Sequence, residues 1–298
     1  MSTEAKPFLK WAGGKGQLLA QLSGYLPDRI SGQPFTYIEP FVGGGAMLYY
    51  MLQRFDNIRK AVINDVNKEL ILSYRTVRDD VESLIVRLKE LEDRYFSVEG
   101  EDGRSEFFYT IRELYNQRQG DGVDRVSQLI FLNRTCFNGL YRVNAKGKFN
   151  VPYGRYANPT VCNADVLRAD SRLLRAAHVE ICQGDFTQTL RYADGLTFVY
   201  LDPPYRPLDA TSSFTAYAKG DFDDDDQRRL AAFCRQLSDC GCLWMESNAD
   251  CSAKNPRDTF FEELYRDYRI DRVAASRSIN ANPSKRGKLT ELLIKNYE

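Results

Sequence analysis

The chain has 298 residues, and its 41 Lys and Arg residues balance its 41 Asp and Glu residues. This balance excludes a general attraction to an acidic partner, so any nucleic-acid surface must be local. The start MSTEAKPFLKWAGGK is too polar for a signal peptide, and no apolar run approaches the ~20 residues of a membrane span. We therefore expect a soluble, cytoplasmic protein without a membrane partner.

Metal-binding patterns are weak in this sequence. Seven cysteines, an odd number, suit reduced thiols better than a disulfide framework. Cys240 and Cys242 lack the spacing of a zinc knuckle, and His178 is the only histidine, so we expect no metal site. The consecutive aspartates Asp223 to Asp226 fit the first turn of a helix, where the helix dipole favours acids.

The first part of the chain predicts a βαβ unit. Two β-branched runs, FTYIEPFVGGG and KAVINDVN, end in Gly or Asp and flank the helical stretch AMLYYMLQRF. A long helical pattern follows from Lys68 to about Tyr95, and a second helix is expected near Phe107 to Asn116. The chain then becomes rich in Asn and Gly, and the end of this block resembles a hairpin.

This block carries a local excess of positive charge. From Arg134 to Val161 there are five basic side chains and no carboxylate. A basic stretch of this kind favours a nucleic-acid surface. The alternative is a solvated basic hairpin that has no partner.

Strand-like runs return from about Val179. They read HVEICQGDF, LTFVYLDPPY, CGCLWMESN, YRIDRVAASRS and LTELLIKNY, with the amphipathic helix DDDDQRRLAAFCRQL among them. These runs complete one sheet, which predicts an α/β fold. We place a discontinuous domain at residues 1–70 and 161–298, and an inserted, mainly helical domain with a β-hairpin at residues 71–160.

The run FVGGG, Phe41 to Gly45, predicts a strand-to-helix turn whose backbone a ligand can approach closely. Asp65, at the end of the next strand, has the position that binds ribose hydroxyls in nucleotide-binding folds. Because the run does not match G-x-G-x-x-G, a smaller adenosine-bearing cofactor is favoured over a dinucleotide. A tight turn without a ligand is the alternative.

The run LTFVYLDPPY ends a buried strand with a carboxylate and two prolines. Proline lacks an amide hydrogen, so Pro203 and Pro204 cannot continue a sheet ladder and leave neighbouring carbonyls without donors. The Asp202 carboxylate and the Pro203 carbonyl can each accept one N–H of a planar exocyclic amine. This arrangement makes the nitrogen lone pair available to an electrophilic carbon, and Tyr205 would stack on the base. A proline-rich loop after a core strand is the alternative.

DPPY, FVGGG and the opening KPFLKWAGGK together resemble the Dam-type, α-group DNA adenine-N6 methyltransferases, which use S-adenosyl-L-methionine. The resemblance spans nearly the whole chain and includes the order of glycine motif, target-recognition block and DPPY. It implies a Rossmann-like class I methyltransferase sheet, a target-recognition domain at residues 71–160, and catalysis by Asp202, Pro203, Pro204 and Tyr205. The cofactor contacts that it implies are Trp11, Lys15, Phe41, Gly43, Gly45, Asp65, Asp185, Phe186 and Asp202.

The run LNRTCFNGLYRVNAKGKFNVPYGRY resembles the hairpin that enters the DNA major groove in this family. By this resemblance Arg142 would pair bidentately with guanine O6 and N7, a contact worth roughly 1–3 kcal/mol of discrimination. Leu140 and Pro152 would contact base edges. Phe137 and Asn138 would occupy the space of the displaced base pair. Contacts to phosphates, which set the register on DNA, are expected from Arg134, Lys146, Lys148 and Arg155.

The resemblance implies methyl transfer from S-adenosyl-L-methionine to N6 of an adenine that is flipped out of duplex DNA. The expected target is GATC, and a longer site that begins with GA is left open. RNA adenine methylation and protein glutamine methylation are also left open, although the glutamine enzymes use N-P-P-Y and this chain has Asp202. A DNA-binding regulator with a vestigial pocket is the alternative that is not an enzyme.

Two further expectations concern surfaces and partners. Thr211 to Tyr217 and Ser247-Asn248 follow sheet ends and are expected to line the DNA side. The protein is expected to be a monomer associated with the nucleoid, with a cognate restriction endonuclease as its partner at the genetic level.

Overall fold

The structure is a computed structural model that describes residues 3–207, 222–275 and 289–298. Its strands are β1 (Phe35–Glu39), β2 (Ile58–Asp65), β3 (Glu180–Gln183), β4 (Thr197–Leu201), β5 (Leu243–Ala249), β6 (Arg269–Ala275) and β7 (Leu289–Lys295). The helices up to residue 135 are α1 (Leu19–Leu22), α2 (Ala46–Arg54), α3 (Lys68–Asp79), α4 (Val81–Ser97), α5 (Gly100–Asn116) and α6 (Gly122–Thr135). The later helices are α7 (Ala164–Ala176), α8 (Asp224–Asp239), α9 (Cys251–Lys254) and α10 (Phe260–Leu264). Short 3₁₀ turns span Lys15–Gln17, Ser23–Tyr25, Asp28–Ser31, Phe137–Gly139 and Phe186–Tyr192.

Contacts group the chain into two units. Unit 1 comprises Met1–Gly14, Gly43–Arg54 and Asn67–Gln183. Unit 2 comprises Lys15–Val42, Phe55–Val66 and Gly184–Glu298. Because these units are defined by packing and not by function, the division into a catalytic domain at 1–70 and 161–298 and a DNA-reading domain at 71–160 stays a prediction.

The fold is a mixed α/β fold with a seven-stranded sheet, so the predicted α/β class is confirmed. Unit 2 holds six of the strands, in the order β2-β1-β4-β5-β7-β6. The neighbours from β2 to β5 run parallel, and β7 is antiparallel to both β5 and β6. All residues of β1 and β4 are buried, which explains why the central strands read as continuous apolar runs.

The register of the parallel strands determines which residues meet where the strands end. In the ladder Glu39 of β1 pairs with Ile63 of β2, and Ile38 pairs with Val199 of β4. Beyond the ladder, Val42 N–H donates to the Asn64 carbonyl at 3.0 Å, so the segment after β1 stays beside the end of β2, and Asp202 follows the last residue of β4 at the same edge. The carboxyl ends of parallel strands are where α/β folds bind ligands.

Unit 1 is mainly helical, as expected, but its helices differ from those predicted. The single helix expected from Lys68 to about Tyr95 is two helices, α3 and α4, because Asp80 between them adopts φ −141° and ψ 50°. Helix α6 was not predicted. Its residues from Val126 to Asn133 are all buried, so the segment lacks the one-sided apolar pattern by which a helix is recognised. Helix α7, capped by Asn163, was missed as well.

The predicted hairpin consists of two antiparallel arms that pair at isolated bridges, Cys136 with Tyr153 and Val143 with Phe149, and not as regular strands. The Asn144 side chain accepts hydrogen bonds from the backbone N–H groups of Lys146 and Lys148 and so shapes the turn between the arms. The loop from residue 136 to 156 is called the reading loop below.

Two other features concern helices. The four consecutive aspartates begin helix α8, and Asp223 caps it by accepting from the backbone N–H groups of Asp225 and Asp226, which confirms the predicted helix start. Within the described ranges, every helix is too short or too polar to span a lipid bilayer.

We predict that Asn133→Ala lowers the free energy of unfolding by about 2 kcal/mol or more. The fully buried Asn133 amide accepts from Lys10 N–H and donates to the carbonyls of Lys10 and Gly139, and alanine leaves these groups without partners. Urea unfolding measures the change. The control Asn158→Ala, at an exposed residue, should stay within about 0.5 kcal/mol of the parent protein. Equal stability of the two variants would contradict this role of Asn133.

Candidate active site and DNA-reading loop

The acid of DPPY lies in a polar cluster of four side chains in unit 2. Lys15 Nζ is 3.2 Å from an Asp202 carboxylate oxygen and 3.1 Å from Oε2 of Glu291. The Tyr205 hydroxyl donates to the same Glu291 oxygen at 2.7 Å and also contacts the Lys15 ammonium. Lys15 is 5% exposed and Asp202 20% exposed, so the carboxylate still reaches the surface while its cation does not.

Burial sets the proton affinity of this cluster. Burial raises the pKa of Asp202 to about 6, because the Lys15 charge only partly offsets the desolvation of the carboxylate and Glu291 adds repulsion. Burial alone would lower the pKa of Lys15, but the two neighbouring carboxylates outweigh it and the pKa is raised. At neutral pH the cluster therefore holds an ammonium group and an ionised Asp202.

The two prolines of the motif differ in what their carbonyls do. The Pro204 carbonyl accepts a hydrogen bond from the Gln227 side chain at 3.1 Å. Within the described residues, no group donates to the Pro203 carbonyl. The use of the Pro203 carbonyl as an acceptor for a substrate amine stays a prediction.

An aromatic and acidic group follows the ends of the neighbouring strands. The rings of Phe41 and Phe186 are 5.3 Å apart, and Phe222 meets Phe41 edge-on at 5.7 Å. The Asp65 carbonyl accepts from Gly184 N–H at 3.0 Å, which places the end of β2 next to the turn that leads into Asp185. These predicted cofactor residues lie at the carboxyl edge of the sheet, together with Asp202.

Asp185 also has a structural function. Its side chain caps the following 3₁₀ turn by accepting from Thr187 and pairs with Arg229 at 2.9 Å. Burial would raise the pKa of Asp185, but the Thr187 hydrogen bonds and the Arg229 charge lower it below its usual value. Asp185 is consequently an anion in the folded protein.

Glu39 and Glu291 are two acids of this region that the sequence reading missed. Glu39, at the end of β1, is 3% exposed and accepts from the Tyr37 hydroxyl at 2.7 Å. Burial and the nearby charges of Asp202 and Asp65 raise the pKa of Glu39 well above its usual value. The sequence did contain an indication of Glu39, because this charged residue ends the apolar strand FTYIE. Glu291 lies within β7, where nothing in the local pattern separates it from a surface acid.

In unit 1, the predicted cofactor residue Trp11 packs on the glycine run. A Cβ atom at Gly43 would lie 3.2 Å from the Trp11 ring, and one at Gly44 would lie 3.1 Å from the Trp11 Cβ atom. Trp11 also stacks on Tyr141, with the ring centroids 4.9 Å apart and 21° between the planes. The glycines therefore make room for an aromatic side chain of the protein itself, whereas their approach to a cofactor stays a prediction.

The reading loop presents most of its predicted DNA-binding side chains to solvent. Phe137 is 52% exposed, and Asn138 beside it adopts a left-handed backbone with φ 56°. Asparagine tolerates this conformation better than most residues. The other exposed members are Arg142, Lys146, Lys148, Pro152 and Arg155, whereas Leu140 and, before the loop in α6, Arg134 are half-buried.

Arg142 is held by its neighbour across the loop. Its Nε donates to the Asn150 side chain at 2.8 Å, and its Nη2 donates to the Asn150 carbonyl at 3.4 Å. The sequence reading assigned nothing to Asn150. Arg134 donates to the Phe8 carbonyl at 2.7 Å, and burial lowers the pKa of its guanidinium. Arg134 therefore also supports the protein, and its contact with a phosphate stays a prediction.

The residues expected to line the DNA side have different placements. Thr211 to Tyr217 lie outside the described residues. Ser247 and Asn248 lie inside β5 and are buried, with hydrogen bonds to Tyr200 and Gln227, so their expected exposure to DNA is wrong. In the part of the chain that is described, no group of three or more His, Cys, Asp or Glu side chains is arranged to hold a metal ion.

Comparison with known proteins agrees with this geometry. A family profile for D12 class N6 adenine-specific DNA methyltransferases matches residues 11–279. A type II methyltransferase of Methanocaldococcus jannaschii, M.MjaIII, is 49% identical over 99% of this chain and 100% of its own length. The type II methyltransferase M1.LlaDCHI of Lactococcus lactis is 37% identical over 98% of this chain and 95% of its own. A DNA adenine methylase of Escherichia coli K12 is 32% identical over 97% of this chain and 94% of its own.

The fold and the site define a methyltransferase with a DPPY-type acid at the carboxyl edge of its sheet. The chain belongs to the D12 class N6 adenine-specific DNA methyltransferase family, and it is an adenine-specific DNA methyltransferase that acts on DNA with a methyl donor of the S-adenosylmethionine type. The predicted family and enzyme class are thus confirmed. The roles of the individual site residues stay predictions.

We predict opposite shifts of the Asp202 pKa from about 6 when its two charged neighbours are neutralised singly. Lys15→Met should raise this pKa because the carboxylate loses its cation. Glu291→Gln should lower it because a like charge disappears. The ¹³C resonance of the Asp202 carboxyl, followed with pH and assigned by its loss in Asp202→Asn, measures the shift. Lys60→Met, at a lysine outside the cluster, is the control and should leave the pKa unchanged.

If Lys15→Met and Glu291→Gln shifted the pKa of Asp202 in the same direction, the electrostatic arrangement of the cluster would be contradicted.

Proposed function

We propose that this enzyme transfers a methyl group from S-adenosyl-L-methionine to N6 of an adenine flipped out of duplex DNA, within the sequence GATC. The observation that carries the proposal is the pair of acceptors at the end of β4. The Asp202 carboxylate is buried against Lys15 and still 20% exposed, and within the described residues the adjoining Pro203 carbonyl has no donor.

The residues at the carboxyl edge fit this cofactor. Phe41 and Phe186 supply an aromatic surface of the kind that adenine rings contact, and their rings already pack together at 5.3 Å. Asp65 ends the adjacent strand β2, where a carboxylate binds ribose hydroxyls. S-adenosyl-L-methionine supplies an electrophilic methyl group on a sulfonium centre.

The protein acts on the amine by hydrogen bonding and orientation. Asp202 accepts one N–H of the adenine amine and the Pro203 carbonyl accepts the other. Above its pKa of about 6, Asp202 is an ionised acceptor, which strengthens the hydrogen bond. Two acceptors arranged in this way favour a tetrahedral nitrogen whose lone pair is no longer conjugated with the ring and is available to an electrophilic carbon. Positioning and electrostatics then provide the rate enhancement, and no covalent intermediate with the enzyme is needed.

Lys15 and Glu291 hold this arrangement in place. Lys15 lies between the two carboxylates, and Glu291 fixes the Tyr205 hydroxyl at 2.7 Å. The Tyr205 ring is thereby positioned beside Asp202, where it can pack against the flipped base. Glu291 is a positioning residue for this site.

An exposed aromatic ring of the reading loop supports base flipping. An extruded adenine leaves a gap in the stack, and unstacking costs a few kcal/mol. The ring of Phe137 is half exposed at the start of the loop, next to Asn138, and provides an apolar side chain that can fill the gap. Lys146 and Lys148, which are exposed in the turn, are placed to meet phosphates.

Arg142 supports a target that begins with guanine. Its guanidinium is exposed, and the Asn150 hydrogen bonds restrict its orientation, which favours a bidentate contact with guanine O6 and N7. Together with Leu140 and Pro152 this favours the family's commonest target, GATC. Sequencing the methylated adenines in DNA from cells that express the protein tests the target, and a longer site starting with GA is the outcome that replaces GATC.

The context of the enzyme follows from its relatives. Two of them are named type II methyltransferases, so we propose a cognate restriction endonuclease as a partner at the genetic level. The enzyme acts as a monomer at the nucleoid in the cytoplasm. Size-exclusion chromatography with and without a target duplex tests the monomer.

We predict that Asp202→Ala reduces methyl transfer at least ~100-fold while DNA affinity stays within about threefold, because an acceptor of the reacting amine is removed. Transfer from tritium-labelled S-adenosyl-L-methionine to duplex DNA, and filter binding, measure the two quantities. The control Asp239→Ala, at the exposed end of α8, should keep full activity.

RNA and protein are offered in parallel with duplex DNA. Tritium on RNA or protein and not on DNA would contradict the proposed substrate. Full activity of Asp202→Ala would contradict the proposed site.

We predict that Arg142→Ala weakens binding to the cognate duplex by roughly 1–3 kcal/mol and relaxes selectivity at one base position, since it removes a base contact. The matched change Lys148→Ala should weaken binding to all sequences alike. Competition binding with duplexes substituted at each position distinguishes the two. An equal loss on every sequence for Arg142→Ala would show that Arg142 contacts the backbone and does not read a base.

A further inference from the structure

A basic cleft lies in unit 1, among residues to which the sequence reading assigned no DNA contact. It encloses about 350 Å³ and is formed by side chains from α3, α6 and the segment that follows α5. Four of its lining side chains are cations, Lys68, Arg75, Arg118 and Arg125, and one is an acid, Glu69. This concentration of positive charge contrasts with the zero net charge of the whole chain.

The acid in the cleft, Glu69, already forms an ion pair with Arg125. Nη2 of Arg125 lies 2.7 Å from both carboxylate oxygens of Glu69, and both side chains are 14% exposed. Within the described residues, no carboxylate forms an ion pair with Lys68, Arg75 or Arg118. Lys68, Arg75 and Arg118 therefore add three positive charges without an ion pair around this mostly buried pair, and Arg75 also donates to the Ile181 carbonyl at 2.9 Å.

The backbone conformation of Arg118 indicates that its side chain has a function. Helix α5 ends in a Schellman motif, in which Arg118 N–H bonds the Tyr115 carbonyl and Gln119 N–H bonds the Leu114 carbonyl. Arg118 occupies the left-handed position of this motif, with φ 56°. Glycine is the usual residue there because a side chain is strained in this conformation. The chain instead places an arginine that lines the cleft.

We propose that this cleft binds a phosphate group. Guanidinium and ammonium groups are the side chains that recognise phosphate, and the volume accommodates a phosphate or a pyrophosphate group. The phosphate can come from the backbone of the substrate DNA, beside the reading loop of the same unit, or from a free phosphate compound. The two sources share this chemistry, and the experiment distinguishes them.

Arg118→Gly is the sharpest variant because it removes the guanidinium and at the same time places the preferred residue at φ 56°. Its melting temperature should not fall, so a loss of binding cannot be attributed to unfolding. Arg118→Gln, which keeps a polar side chain without its charge, is the second variant. Lys89→Ala, at an exposed lysine of α4 outside the cleft, is the matched control.

The first measurement is the dependence of DNA affinity on salt, for a duplex that extends several turns beyond its target on both sides. If the cleft holds a backbone phosphate, each Arg118 variant reduces the slope of log K against log salt by about 0.9, and Lys89→Ala leaves the slope unchanged. The second measurement is the melting temperature without DNA, with and without sodium pyrophosphate. If the cleft holds a free phosphate compound, pyrophosphate raises the melting temperature of the parent protein and of Lys89→Ala, but not of either Arg118 variant.

Either result supports the phosphate site, and the two together identify its source. The proposal is overturned if both Arg118 variants match the parent protein in both measurements, or if Lys89→Ala changes the slope as much as they do. Methyl transfer at low salt should persist in the Arg118 variants, because none of the cleft residues belongs to the Asp202 cluster. A failure of the phosphate proposal is therefore distinguishable from a failure of the proposed function.

Discussion

The proposed active site depends on keeping a buried carboxylate ionised. Desolvation favours the protonated form of Asp202, and a protonated acid offers an amine a weaker acceptor. Lys15 counters this effect from 3.2 Å, while Glu291 repels Asp202 and attracts Lys15. The resulting pKa of about 6 lies between that of a solvated aspartate and that of a buried, unpaired one. Ion pairs of this kind contribute little net stability, because desolvation offsets the attraction, and their value here is the orientation of Asp202.

The sheet supplies the positions that the proposed chemistry requires. Parallel pairing of β2, β1 and β4 places Asp65, Phe41 and Asp202 at one edge, because the register carries each strand to its carboxyl end at the same level. The antiparallel strand β7 brings in Glu291 from the end of the chain, next to β5. In unit 1, Asn133 holds Lys10 and Gly139 together through three hydrogen bonds, so the start of the chain and the reading loop form one packed structure.

Much of the fold was predictable because its patterns are local. The strands that end in FVGGG, in IND and in DPPY, and the acidic start of α8, were all recognisable from short runs of sequence. The errors also have physical causes. Helix α6 is buried on every side and shows no polar face, and the break between α3 and α4 depends on the backbone angles of one residue, Asp80. Ser247 and Asn248 are polar but are satisfied inside a strand, so their polarity did not indicate exposure.

By itself the sequence determined the chemistry of the protein, because the features that indicate it consist of contiguous residues. These features are an acid followed by two imino acids, a glycine turn after a strand, and a basic loop without carboxylates. Only the tertiary structure decided which distant groups act on that chemistry. Glu291, Glu39 and Asn150 look like ordinary polar residues along the chain, yet each lies close to a residue of the predicted sites. The reason is that pKa values and side-chain orientations depend on burial and on contacts across the fold, which no local pattern of residues contains.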